Sequence, residues 1–117
     1  MTNTEYQKLA QRTLALCETS LLDELHMVLG LQTEGAEIAD VYKKHIAYDK
    51  VLDYVNIKEE LGDSLWYIAN LCNLKGWDMG DIMATNIKKL EARFPEKFSQ
   101  EKALNRNLEI ERKILEG

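Results

Sequence analysis

The chain has 117 residues, of which 45% are hydrophobic and 30% charged, with a formal charge of −5. That length fits one domain with a modest core, and the acidic balance excludes broad nucleic-acid binding, which needs a basic surface. No stretch approaches the ~20 apolar residues of a membrane span, and the polar start at Thr2–Arg12 lacks the pattern of a signal peptide, so a cytoplasmic protein is expected.

Six glycines and one proline leave few places to break a helix, and the composition points to an all-α chain. The apolar positions Tyr6, Leu9, Leu14, Leu16 and Cys17 predict a first helix over 4–18. A long second helix follows over 20–46, with Thr19 or Ser20 as its N-cap. Residues 47–55 connect to a third helix over about 56–75, opened by a capping box of Asn56 and Glu59 and closed by Gly76. Asp78 and Asp81 mark the start of a fourth helix that runs to Arg93, where Phe94-Pro95 stops it. Ser99 caps a last helix to about Leu115. Short connections predict antiparallel neighbours in a helical bundle of about four to five helices. Cys17 and Cys72 form no CxxC or zinc pattern and read as buried thiols of a reducing compartment.

Two acidic pairs stand apart from the solvated charges. Glu34 with Glu37, and Glu60 with Asp63, are each spaced i, i+3, so each pair leaves one face of its helix. On a helical wheel the first pair shares its arc with Met27, Leu31, Ile38 and Val41. The second shares its arc with Ile57, Tyr67, Leu71 and Leu74, while Lys58, Gly62, Ala69 and Asn73 lie opposite. Both pairs thus interrupt apolar stripes that should face inward. Four carboxylates in such a place repel one another and lose hydration unless counter-charge is supplied. Hard oxygen donors suit Mg²⁺, or Mn²⁺ in its place, and with only His26 and His45 present a zinc site is not expected. The competing reading is a set of buried salt bridges to Lys43, Lys44 or Arg93.

Asn86, Lys89 and Arg93 fall at i, i+3, i+7 on the fourth helix, a face able to grip phosphate oxygens or a sugar hydroxyl. Tyr67 lies one turn beyond Asp63 and can hydrogen-bond a sugar or phosphate. Lys44, two turns past Glu37, is a candidate for the phosphate tail, and His26, two turns before Glu34, for a base edge. Trp66, Trp77, Phe94 and Phe98 can stack on a base or serve packing. No Gly-rich phosphate loop and no nucleophile motif occurs.

The stretches GLQTEGAEIADVYKKH, KEELGDSLWYIANL and NIKKLEARFPEKFSQEKALNRN resemble the MazG-like nucleotide pyrophosphohydrolases of the all-α NTP pyrophosphatase superfamily. The family pattern of ExxE, spacer and ExxD reads here as Glu34-Gly-Ala-Glu37, 22 intervening residues, and Glu60-Leu-Gly-Asp63, followed by NxxKLxxRFP. The likeness covers about residues 22–112. It implies a single domain with a core at about 20–95 and a C-terminal helical extension at about 96–117. It also implies Glu34, Glu37, Glu60 and Asp63 as Mg²⁺ ligands, with Tyr67, Asn86, Lys89 and Arg93 on sugar or phosphates. Family members hydrolyse (d)NTPs to the monophosphate and pyrophosphate as homodimers or homotetramers. In-line attack of a metal-activated water on the α-phosphorus is expected, with Glu37, or Glu34, as candidate general base. A dUTPase-like or phosphoribosyl-ATP-type specificity and a non-catalytic nucleotide-binding helical module are the alternatives.

Overall fold

The computed structural model describes residues 1–17, 19–95 and 97–117. Among these it contains six α-helices, one 3-10 turn and no strand, so the expected all-α class holds. The helices fall into two compact units, Met1–Trp77 and Asp78–Gly117. No helix among the described residues is long and apolar enough to cross a membrane.

In the first unit, α1 spans Asn3–Ala10, and Thr2 caps it by accepting a hydrogen bond from the Glu5 amide at 3.1 Å. The helix expected over 4–18 is shorter. Residues Gln11–Thr13 tighten into a 3-10 turn and Leu14 is extended. No apolar stripe continues through Gln11, Arg12 and Thr13, and the Thr13 hydroxyl turns back to the Ala10 carbonyl at 3.4 Å. Cys17, expected to be buried, is exposed beyond this break, whereas Cys72 is buried.

Helix α2 spans Ser20–Tyr48, and the Thr19 hydroxyl accepts from the Leu22 amide at 3.2 Å. It ends where Asp49 takes the left-handed conformation (φ 55°), which lets the Lys50 amide reach the Lys44 carbonyl. Helix α3 spans Tyr54–Lys75 and starts earlier than expected. Asp53, not Asn56, is the cap, accepting from the Asn56 amide at 3.1 Å, so the capping box placed on Asn56 and Glu59 is not formed. An aspartate in extended backbone is as strong a cap as an asparagine, and Asp53 comes first in the chain. Gly76 closes α3 with φ 69°, a conformation that costs a side-chain-bearing residue about 1 kcal/mol.

Helices α2 and α3 pack against each other, with Met27 only 1% exposed, and Glu24 pairs with Lys75 at 2.7 Å near one end of the hairpin. The opposite side of α3, where Ala69 and Asn73 lie, is packed as well. Helix α1 and the 3-10 turn cover it, and Ala69 and Asn70 are fully buried. The amide of Asn70 donates to the Ala10 carbonyl at 3.1 Å. That of Asn73 donates to the Gln7 carbonyl at 2.9 Å and to Asn70 Oδ1 at 3.0 Å, and Trp66 Nε1 donates to Thr13 Oγ1 at 2.9 Å.

In the second unit, α4 spans Met79–Arg93 behind an Asp78 cap and stops at Phe94 as expected. The single last helix expected from Ser99 is two: α5 (Gln100–Leu104) and α6 (Leu108–Glu116), capped by Ser99 and Asn107. Asparagine side chains compete for backbone groups at the break. Asn105 donates to the Glu101 carbonyl at 2.9 Å, and Asn107 Oδ1 accepts from the Ile110 amide at 3.2 Å. Helix α6 packs on α4 through Glu111, which is 4% exposed and bound by Arg93 at 2.5 Å and by Arg106 at 3.0 Å.

Candidate metal centre

Antiparallel packing of α2 on α3 sets the two acidic motifs side by side. Glu34, Glu37 and Glu60 each offer an oxygen within 4.8 Å of the others, and Glu60 forms a second such group with Glu59 and Asp63. Glu60 is thus shared by both groups. It is 6% exposed, Glu34 is half-buried, and Glu37, Glu59 and Asp63 are exposed. Three of the four expected carboxylates therefore meet directly, and Asp63 joins them through Glu60. Glu59, the immediate neighbour of Glu60, was not singled out from the sequence. Its place on the wheel, one residue behind Glu60, was the available signal.

The electrostatics of this cluster are unfavourable as it stands. One oxygen of Glu34 and one of Glu60, both buried, have no hydrogen-bond partner. Hydrogen bonding with Glu34 and then Glu37, followed by burial and repulsion from both, pushes the Glu60 carboxyl up to about 8. The salt-bridge reading does not hold. Lys44 and Lys43 pair with Asp40 at 2.8 and 3.5 Å, and Arg93 pairs with Glu111. A cluster of hard oxygens with buried, unpaired lone pairs and no cation among its described ion pairs is chemically fitted to a divalent metal ion.

The other candidates sit as follows. Tyr67 is half-buried on α3, one turn beyond Asp63. Its ring meets Trp66 edge-on at 5.1 Å and His26 at 6.2 Å between centroids. His26 is exposed, not a core histidine. The Tyr67 ring lies so close to α2 that a Cβ at Gly30 would stand 2.1 Å from Cε1. Tyr6 of α1 also approaches the acidic edge of α3. Its hydroxyl donates to the Gly62 carbonyl at 3.4 Å, and burial followed by the charge of Asp63 raises its pKa.

Lys44 is bound to Asp40 on the exposed side of α2. Asn86 (exposed), Lys89 (half-buried) and Arg93 belong to the second unit, where Arg93 is engaged by Glu111. Trp66 is committed to packing and to Thr13, Trp77 is half-exposed beneath Lys75, and Phe94 packs on Phe98 at 5.3 Å.

The profile of the MazG nucleotide pyrophosphohydrolase domain matches residues 23–98, a span that includes both acidic motifs and all of α4. The chain is also similar to the Gene 37 protein of Mycobacterium phage L5, at 33% identity over 72 residues. That alignment takes in 58% of the chain and 63% of the relative's length. No solved structure matches the chain.

Proposed function

We propose, from the premise that the chain belongs to the MazG nucleotide pyrophosphohydrolase domain family, that it is a Mg²⁺-dependent nucleoside triphosphate pyrophosphohydrolase yielding monophosphate and pyrophosphate. The observation that carries the reading is the Glu34–Glu37–Glu60 cluster, with oxygens within 4.8 Å of one another and two buried oxygens unpartnered. An acidic trio of this kind gains nothing for stability alone. It becomes useful when a cation is delivered together with a polyphosphate.

Glu34, Glu37 and Glu60, with Asp63 or Glu59 joined through Glu60, are the residues that would hold Mg²⁺ or Mn²⁺. When bound, the ion would lower the pKa of a water and neutralise charge on phosphate oxygens. Glu37 is the exposed member of the trio and the best placed to take a proton from an attacking water. Attack at the α-phosphorus forms one P–O bond and breaks the bridge to the β-phosphate, which leaves as pyrophosphate. Tyr67 lines the site on the α3 side and contacts the sugar or the phosphates, and His26 beside it is a candidate for the base edge. Asn86, Lys89 and Arg93 are assigned to the substrate on the strength of the family match, which extends past all three.

The working unit is proposed to be a homodimer or homotetramer in a cytoplasmic setting. Leu21, Leu25, Val28 and Leu29 of α2, and Leu61 and Leu65 of α3, are 41–71% exposed. Apolar faces repeated at helical spacing in a single chain are suited to a second copy. Sedimentation velocity, in which a monomer at micromolar concentration would count against this, tests it.

The enzymatic reading is tested by pyrophosphate release from a panel of (d)NTPs with and without Mg²⁺, using wild type, Glu37→Gln and Asp63→Asn. Wild-type-like turnover in both variants would end the proposal. The same panel separates dUTP-restricted or phosphoribosyl-ATP-restricted turnover from broad (d)NTP cleavage.

A further inference from the structure

Gly30 lies one turn before Glu34 and one turn after His26, so the three share a face of α2. It is buried, and the Tyr67 ring fills the place its side chain would take. A Cβ there would lie 2.1, 2.3 and 2.5 Å from Tyr67 Cε1, Cζ and Cδ1. Ordinary carbon contacts lie at about 3.5 Å, so even a methyl group requires the ring to move. The ring has little freedom to do so. Trp66 stands edge-on to it at 5.1 Å and is held in turn by Thr13, while His26 meets another edge at 6.2 Å.

Gly35 and Gly62, by contrast, have open space where a Cβ would be. Nor does Gly30 serve a backbone need, since it sits in mid-helix and its φ is not positive. A mid-helix glycine costs about 1 kcal/mol relative to alanine, so what this glycine provides is the space itself.

We propose that Gly30 is a positioning residue, whose missing side chain seats the Tyr67 ring beside the acid cluster and thereby sets substrate affinity there. The inference rests on the reading of Tyr67 as a substrate contact. It adds that the depth of this wall of the site is fixed from α2, by one residue that never touches the substrate. A larger residue at position 30 pushes the phenol outward, so KM rises while the carboxylates keep their metal.

The test is a cycle of Gly30→Ala, Tyr67→Ala and the double variant. It is read by KM and kcat for the best substrate of the (d)NTP panel, by Mg²⁺ affinity from titration calorimetry without nucleotide, and by thermal melts. Gly30→Ala and Tyr67→Ala should each raise KM about tenfold, as expected for one lost contact. The double variant should lose no more than Tyr67→Ala alone, because the methyl group then has room. Mg²⁺ affinity should stay within about twofold throughout, which a general collapse of the hairpin would not allow. If Gly30→Ala is too unstable to assay, the double variant still decides: a KM well above that of Tyr67→Ala overturns the proposal. A raised KM in Tyr67→Ala with a normal KM in Gly30→Ala overturns this inference alone. A normal KM in Tyr67→Ala, or no turnover by wild type, removes the substrate reading and the inference with it.

Discussion

Glu34 of α2 and Glu60 of α3 face one another with one buried oxygen apiece left without a hydrogen-bond partner. Replacing Glu60 by Gln removes the carboxyl shared by both acidic groups. The expected outcome is loss of pyrophosphate release by about a hundredfold or more, together with loss of the rise in melting temperature that Mg²⁺ confers. Above about pH 8, where Glu60 is charged beside Glu34 and Glu37, the metal-free variant should melt no lower than metal-free wild type, because the amide adds no repulsion. A Mg²⁺-induced shift equal to that of wild type would show that Glu60 holds no ion.

The same carboxyl gives the metal-free protein a pH dependence of definite sign. In the folded chain Glu60 titrates at about 8, above its ordinary value of 4.5, so the folded state holds the extra proton between those values. Stability therefore declines as pH rises from about 4.5 to about 8. Thermal melts in EDTA should fall across this window, and saturating Mg²⁺ should flatten the decline. Proton release on Mg²⁺ binding at neutral pH, seen as buffer-dependent calorimetric heats, is the companion observation.

Glu111 imposes the opposite sign. Hydrogen bonds from Arg106 and then Arg93 hold its carboxyl down at about 2, below its ordinary 4.5. Its contribution is complete above about 4.5 and is lost as pH falls toward about 2. Amide exchange in α6, followed by mass spectrometry, should accelerate over that acid range. In Glu111→Gln the acceleration should already be present at neutral pH.

Asn70 ties α1 to α3. Its side chain is fully buried, donates to the Ala10 carbonyl and accepts from Asn73. Asn70→Leu removes one hydrogen bond from each partner, leaving the Ala10 carbonyl only the long contact from Thr13 and the Asn73 amide only its bond to Gln7. It should cost about 1–3 kcal/mol in urea unfolding, with α1 becoming the first site of proteolysis. Unfolding at the wild-type midpoint would contradict this role.

Much of the fold could be read from punctuation in the chain. Thr19, Gly76, Asp78 and Phe94-Pro95 delimit helices where local chemistry says they should, because caps and stops act over a few residues. The start of α3 was misplaced because Asp53 and Asn56 are both cap residues, and the sequence alone does not rank them. The docking of α1 on the far side of α3 was not anticipated, because Asn70 and Asn73 are polar. A face sealed by amide hydrogen bonds carries no hydrophobic signature, so the wheel gives no sign of what covers it.

The acidic site was legible as two pairs, since i, i+3 spacing fixes a shared helix face. Its inner geometry was not. The meeting of Glu60 with Glu34 and Glu37 depends on how far α3 slides along α2, and the approach of Tyr6 to Asp63 depends on where α1 docks; periodicity encodes neither offset. Gly30 escaped notice for a related reason. A glycine in a helix gives no hint of which ring from another helix occupies its vacant side.

The indole of Trp66 joins two regions that are distant in the chain. Its nitrogen is held by Thr13 at the end of the N-terminal segment, and its edge rests against Tyr67 beside the acids. The chain's other indole, Trp77, lies beyond the far end of α3 under Lys75. The protein thus carries its own optical probe, one chromophore whose emission is shaped jointly by the seating of α1 and by the state of the acidic pocket. Loosening at either place would register in the same spectrum, with no label attached.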